Sequence, residues 1–309
     1  MLRVLDGPEL ARALPMRAAI DALDTGLRAP FATTPLRTVT ATAAGTLLLM
    51  PAFTASALGV KLVTLTEGNA DRGLPFLHAT YVLSDGETQA PRAVLDGTAL
   101  TALRTAAMSG LATRYLARAA APGLVLVGAG ALARPHVEAM RAVRPIEEVV
   151  VVTRGRARGE ALVADLAADG LAARLGTPED LAIADVLCTC TTSPTPVVDG
   201  ARLAAGVHVN AVGAYTATTR ELDGATLARA EAIVVETEEI LRAECGAVLL
   251  ALAEGSIRDE ARVVDLRRLL DGASLRTSPS AITVFLSSGA AFEDLVVATA
   301  AVAAAEGAA

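Results

Sequence analysis

The chain is short of cysteine, histidine, lysine and long apolar runs, and each shortage excludes something. Three cysteines, Cys188, Cys190 and Cys245, are too few and wrongly spaced for a disulfide framework or a zinc site. Three histidines add no support for a metal, so none is expected. No apolar run reaches the roughly 18 residues of a membrane span; residues 43–57 and 117–133 come nearest and are broken by Pro, Gly or polar side chains. Before acids appear, the first residues show no apolar stretch of signal-peptide length, so a cytoplasmic protein is expected. A basic stripe is missing too, and the net charge is −7, which argues against nucleic acid as a partner.

The scarcity of lysine is the most informative. Of 27 basic residues only Lys61 is lysine, in a chain with 67 alanines. A bias that replaces Lys by Arg at indifferent positions leaves Lys where Arg will not serve. Lysine can lose its proton and carries a compact charge, whereas arginine keeps its charge on a planar fork. Lys61 is therefore a candidate functional residue.

What is present describes a globular protein. Hydrophobic residues make up 53% and charged residues 20%, which excludes intrinsic disorder. With 309 residues, two domains of about 150 are expected. Residues 1–30 read as a helix and its approach, and strands follow at 36–50, 60–66, 79–83 and 92–95. A helix covers 98–116, with Thr98 as its cap. From residue 123 strands alternate with helices: strands at 124–127, 148–152, 184–190, 207–212 and 232–235, helices up to 143 and over 156–168. That alternation implies a parallel sheet covered on both faces. The expected fold is α/β: a Rossmann-type doubly wound parallel sheet at 117–281, inserted in a second α+β domain made of 1–116 and 282–309. The tail at 291–305 reads as a helix returning to that second domain.

The strand at 125–127 runs into Gly128, Ala129, Gly130, Ala131, Leu132 and Ala133, which fits G-x-G-x-x-A between a strand and a helix. Gly128 permits a tight turn, Gly130 lets a pyrophosphate approach the backbone, and Ala133 allows close helix–strand contact. The helix start supplies N–H groups for the phosphates. At the end of the next strand, Thr153-Arg154-Gly155-Arg156-Ala157-Arg158 holds no acid for a ribose hydroxyl but three arginines suited to a phosphate. NADP(H) is the expected cofactor, with NAD(H) possible.

Several further stretches carry a resemblance. They are Pro35-Leu36-Arg37-Thr38, Met50-Pro51-Ala52-Phe53, Val60-Lys61-Leu62-Val63-Thr64 and Leu103-Arg104-Thr105-Ala106-Ala107. They continue with Val209-Asn210-Ala211-Val212-Gly213-Ala214, Arg220-Glu221-Leu222 and Ser288-Gly289-Ala290-Ala291-Phe292-Glu293-Asp294. With the glycine loop they span nearly the whole chain, which resembles the ornithine cyclodeaminase/mu-crystallin family. The resemblance implies a homodimer whose second domain binds substrate and dimerises, and hydride transfer at the α-carbon of an amino or imino acid. It also implies that Arg37 and Arg104 hold the substrate carboxylate, Met50 lines the substrate pocket, and Lys61 is the active-site lysine. Thr191 and Val212 match cofactor contacts at strand ends. Ser287 and Ser288 match positions closing the site, on the cofactor and the substrate respectively.

Three departures from the family pattern narrow the activity. Cyclodeaminases carry an aspartate where this chain has Tyr215, which cannot act as a base near neutral pH but can donate a proton. Leu132 replaces the usual glutamine of the glycine loop, and the acid typical of NAD sites is missing. The chain thus leans toward NADPH-dependent reduction of a small imino acid. The best class is a cyclic ketimine carboxylate, pyrroline-2-carboxylate or piperideine-2-carboxylate, with Lys61 or Tyr215 supplying the proton. Alternatives are an alanine dehydrogenase-like or ornithine cyclodeaminase-like enzyme and, from another class, an NADPH-dependent small-ligand binding protein like mu-crystallin. His136 and His208 read as structural, and Cys188 and Cys190 as core.

Overall fold

The computed structural model describes residues 2–28 and 34–307; positions 29–30 of the expected N-terminal helix lie outside them. Along the chain run β1 (Arg3–Leu5), α1 (Gly7–Ala13), α2 (Met16–Gly26), β2 (Thr38–Thr42), β3 (Gly45–Phe53), β4 (Ala57–Leu65), β5 (Leu77–Asp85), β6 (Pro91–Asp96) and α3 (Gly97–Leu116). Next come β7 (Gly123–Val127), α4 (Ala133–Val143), β8 (Glu148–Val152), α5 (Arg156–Ala168), β9 (Ala172–Leu175), β10 (Val186–Thr189) and β11 (His208–Ala211). The chain ends with α6 (Gly224–Arg229), β12 (Ala230–Val235), α7 (Glu238–Glu244), α8 (Gly246–Ala253), β13 (Val263–Asp265), α9 (Leu266–Leu270), β14 (Ile282–Leu286) and α10 (Ala291–Gly307).

Contacts divide the chain into two compact units, Met1–Arg104 with Ala290–Ala309, and Thr105–Gly289. The first unit holds a six-stranded sheet in the order β1-β6-β5-β4-β3-β2. Only β1 and β6 pair in parallel; the other neighbours are antiparallel. Alternation along the strands makes one face apolar and buried, with Leu48, Met50, Val63, Leu65, Leu83 and Leu95 on it. Helix α10 packs on β3, β4 and β5 and against α1 and α2. Helix α1 begins with a reciprocal cap between Asp6 and Glu9.

Thr98 does not cap α3. Asp96 Oδ1 accepts from the N–H groups of Thr98 and Ala99, while the Thr98 hydroxyl accepts from Ala79 N on β5. Aspartate two residues earlier, immediately before the helix, is the better acceptor for free helix N–H groups because it carries charge.

The second unit holds an eight-stranded, wholly parallel sheet in the order β13-β12-β14-β11-β10-β7-β8-β9. Its central strands β10, β11 and β14 are buried at every position, as expected for strands covered on both faces. Strand order reverses between β7 and β10, and in such sheets ligands bind beyond the carboxyl ends of the strands at that point. The sequence places the domain limits at 117 and 282; by contact they fall at 105 and 290, so most of α3 and all of β14, which lies between β11 and β12, belong with the parallel sheet. The short strands β9 and β13 are not legible in the sequence, because three or four residues carry too little periodicity.

Candidate active site

The glycine loop sits where β7 ends. Gly128 has φ +108°, and a Cβ there would lie 2.5 Å from the Cys190 carbonyl oxygen; its N–H donates to Val152 O at 2.8 Å. Only glycine fits this backbone. Gly130 differs, because a Cβ there would meet nothing within 4 Å. The protein leaves an open cradle at Gly130, beside Ala129, Ala131 and Leu132. Directly after it, α4 starts at Ala133 with no side chain capping its N–H groups. An open glycine cradle and an uncapped 11-residue helix fit a pyrophosphate.

At the end of β8, Thr153 Oγ1 accepts from Gly155 N. Arg154 is exposed in this turn, and Arg156 opens α5, exposed and paired with Glu160 at 2.8 Å.

Two buried carboxylates organise the other strand ends. Glu221 accepts from Thr189 Oγ1, Thr191 N, Thr191 Oγ1 and Gly213 N at 2.7–2.8 Å. Burial raises its pKa, and these four donors oppose the shift. Glu221 thereby ties the end of β10 to the turn after β11, and brings Thr191 beside Val212, whose N–H donates to Thr189 O. Glu236 accepts from Ser288 N and Gly289 N, fixing the turn after β14. Ser287 N bonds Ala211 O, while its buried hydroxyl finds no partner among the described residues. Tyr215 lies half-buried in the segment after β11.

In the six-stranded unit, register explains the burial of Lys61. Met50, Lys61, Tyr81 and Leu95 stand opposite one another across β3, β4, β5 and β6, so all four share the covered face. Lysine survives there because α10 brings acids to it. Lys61 Nζ donates to Asp294 Oδ1 at 2.8 Å. Arg104 Nε donates to the same oxygen at 3.1 Å, and Arg104 Nη1 donates to Glu293 Oε2 at 2.6 Å. Burial, then the Arg104 charge, pull the Lys61 pKa down to about 8, against the opposing pull of Asp294 and Glu293. Burial and the Asp294 charge push the Tyr81 phenol well up. Arg37 is half-buried just before β2.

The structure thus joins Lys61, Arg104 and Met50 in one place, and Thr191, Val212 and Ser287 around the ends of β10, β11 and β14. Glu293, Asp294, Glu221 and Glu236 were missed as site residues. One signal was legible: Glu293 and Asp294 are the only charges in residues 290–305, and adjacent acids in an apolar helix require buried partners.

His136 and His208 are buried and hydrogen-bonded, His136 to Ser109 and Leu132 O, His208 to Thr283 and Asn210. Cys188 and Cys190 are buried free thiols. No helix among the described residues is long and apolar enough to cross a membrane.

Residues 8–307 match the ornithine cyclodeaminase/mu-crystallin family. The chain belongs to this family. It is 35% identical over 264 residues to a Δ1-pyrroline-2-carboxylate reductase of Bacillus cereus, covering 82% of this chain and 79% of that one. Among solved structures, Thermococcus litoralis Δ1-pyrroline-2-carboxylate reductase in complex with NADH and L-proline superposes with a TM-score of 0.94 at 32% identity, over 100% of this chain and 98% of that chain. An archaeal alanine dehydrogenase dimer with bound NAD gives 0.92 at 31% identity, over 99% and 97%.

Proposed function

We propose that this family member reduces a cyclic ketimine carboxylate, Δ1-pyrroline-2-carboxylate foremost, to the corresponding amino acid, with NADPH preferred over NADH. The observation that carries the reading is the buried Lys61–Asp294–Arg104 cluster: an ammonium able to release its proton near pH 8, fixed beside a guanidinium. An imino acid needs both, one cation for its carboxylate and one proton for its nitrogen. The similarity to reductases of this substrate supports it.

Arg104, with Arg37, binds the carboxylate and so orients the imine carbon. Met50 borders the ring. Lys61 or Tyr215 holds the proton for the nitrogen. When bound, the nicotinamide cofactor supplies the hydride. Gly128, Ala129, Gly130, Ala131 and Leu132 cradle its pyrophosphate, and Thr191, Val212 and Ser287 contact it at the strand ends. Thr153, Arg154 and Arg156 receive the 2′-phosphate, which matches guanidinium forks. A cytoplasmic location agrees with three buried free thiols.

A homodimer completes the reading. The face of the six-stranded sheet opposite α10 carries exposed apolar side chains, with Val4, Phe53 and Leu62 exposed at 66%, 43% and 38%. A second copy covering this face removes that surface from water. Light scattering should give twice the 31.4 kDa chain mass, and Leu62→Asp should lower it.

The deciding assay follows NADPH and NADH oxidation with Δ1-pyrroline-2-carboxylate, with piperideine-2-carboxylate, and with pyruvate plus ammonia. Oxidation with a cyclic imine upholds the reading. Turnover only with pyruvate and ammonia moves the chain to alanine dehydrogenase chemistry, which the similarity to that enzyme makes the second reading.

A further inference from the structure

Resting on that reading of the site, we propose that Asp294 is a positioning residue for the reaction: one carboxylate oxygen holds the Lys61 ammonium and the Arg104 guanidinium together, so that the proton donor and the carboxylate clamp keep one fixed spacing.

The geometry is specific. Asp294 Oδ1 accepts from Lys61 Nζ at 2.8 Å and from Arg104 Nε at 3.1 Å, and both Asp294 and Glu293 are fully buried. Asp294 lies 190 residues from Arg104 and 233 from Lys61, so only the return of α10 assembles the group. Stability does not explain it, because replacing a buried ion cluster with packed apolar residues is often neutral or stabilising. The row around Lys61 offers such packing in Met50 and Leu95. Two buried polar atoms also find no partner among the described residues, Asp294 Oδ2 and the Tyr81 hydroxyl. A buried site that holds charges and leaves polar atoms open is built for a polar ligand.

Charge gives Asp294 a second effect. Lys61 faces Asp294 and Glu293 from α10, Arg104 from α3 and Tyr81 from β5. Burial and Arg104 drive the proton off Lys61, and Asp294 is the largest influence keeping it there. In the proposed reduction the imine carbon gains a hydride from the reduced nicotinamide and the nitrogen gains one proton. If Lys61 gives that proton it becomes a neutral amine and regains a proton from solvent. The contact with Asp294 favours the reloaded, protonated state of Lys61.

Because Lys61 is the only lysine, the test can be read directly. Protein labelled with ζ-15N lysine gives one side-chain signal, whose titration is followed by NMR in native protein, Asp294→Asn, Asp294→Glu and Glu293→Gln. The native midpoint is expected near 8. Asp294→Asn should lower it by at least about one pH unit, Glu293→Gln by less, and Asp294→Glu should restore most of it. In parallel, kcat/KM for Δ1-pyrroline-2-carboxylate should fall roughly 100-fold in Asp294→Asn, and its alkaline limb should move with the NMR midpoint. NADPH binding, read by fluorescence, should not change. An unmoved Lys61 titration, or a uniform loss of activity with an unmoved pH profile, overturns the proposal. If Asp294→Asn does not fold, Asp294→Ser, which also removes the carboxylate, decides by the same two readouts. Native protein inactive toward the imine overturns the substrate reading alone, since the NMR titration still judges Asp294.

Discussion

Lys61 and Asp294 form an ion pair 2.8 Å long with 1% and 0% of their side chains exposed. A lysine that stays in an apolar row does so because an acid 233 residues away meets it there. The pair is expensive in isolation, since desolvation costs several kcal/mol per ion, and Arg104 and Glu293 complete it as a cluster of two cations and two anions.

Gly128 and Gly130 should separate fold from cofactor. Gly128→Ala places a Cβ against the Cys190 carbonyl at positive φ and should cost roughly 1–3 kcal/mol of stability. Gly130→Ala meets nothing, so its unfolding midpoint should stay within about 0.5 kcal/mol of native. Its NADPH dissociation constant should rise about tenfold, or 1.4 kcal/mol. Calorimetry and cofactor titration on both variants check this; equal cofactor affinity in Gly130→Ala would remove the loop from the binding site.

Glu221→Gln keeps the shape and removes the charge. Four donors converge on the native carboxylate, two on each oxygen, so the glutamine NH2 must face two of them, one a backbone N–H. The expected loss is roughly 1–3 kcal/mol, together with weaker cofactor binding because Thr191 and Gly213 lose their anchor. Urea unfolding measures the first and fluorescence titration the second. A native midpoint would show that these contacts carry no net stability.

The arginines after β8 should choose the cofactor. Replacing Arg154 and Arg156 by Ala removes charge-assisted bonds to a 2′-phosphate, which should weaken NADPH roughly tenfold to a hundredfold. NADH kinetics should be unaltered. Equal loss for both cofactors, or none, would take the phosphate preference away from this turn.

Acid should weaken the fold through two histidines. Burial lowers His136 to about 4 and His208 to about 3, from an ordinary 6.5. Both rings stay neutral in the fold, while the unfolded chain protonates below about pH 6.5. Stability is therefore full above 6.5 and falls as pH drops toward 4, by roughly 3 kcal/mol per ring at the limit. Urea unfolding between pH 4.5 and 7 should show a slope that His136→Gln and His208→Gln each reduce. An unchanged slope in both variants would mean other groups govern acid sensitivity.

Much of the fold was legible along the chain. The parallel sheet announced itself because a strand buried on both faces reads as a continuous apolar run, as in β7, β8 and β10. The glycine loop was readable because its demands are local: φ at Gly128, open space at Gly130. Lys61 stood out by number, one lysine against 26 arginines. The hairpin of β2 and β3 looks like one strand at 36–50 in the sequence, because Thr alternates with Val39 and Ala41 and the turn at Ala43-Ala44 carries no Gly, Pro, Asn or Asp.

The sequence by itself singled out the glycine loop, Lys61 and the arginines after β8 as candidates, through backbone freedom, residue type or count, which do not depend on distant neighbours; Arg104 came from the family resemblance. Only the tertiary structure decided what holds them. The return of α10 brings Glu293 and Asp294 to Lys61 and Arg104, and Glu221 reaches back thirty residues to Thr191. Buried carboxylates look like any other Asp or Glu in a sequence. Their roles follow from the cations and N–H groups that folding places within 3.2 Å of them, and from the water it removes.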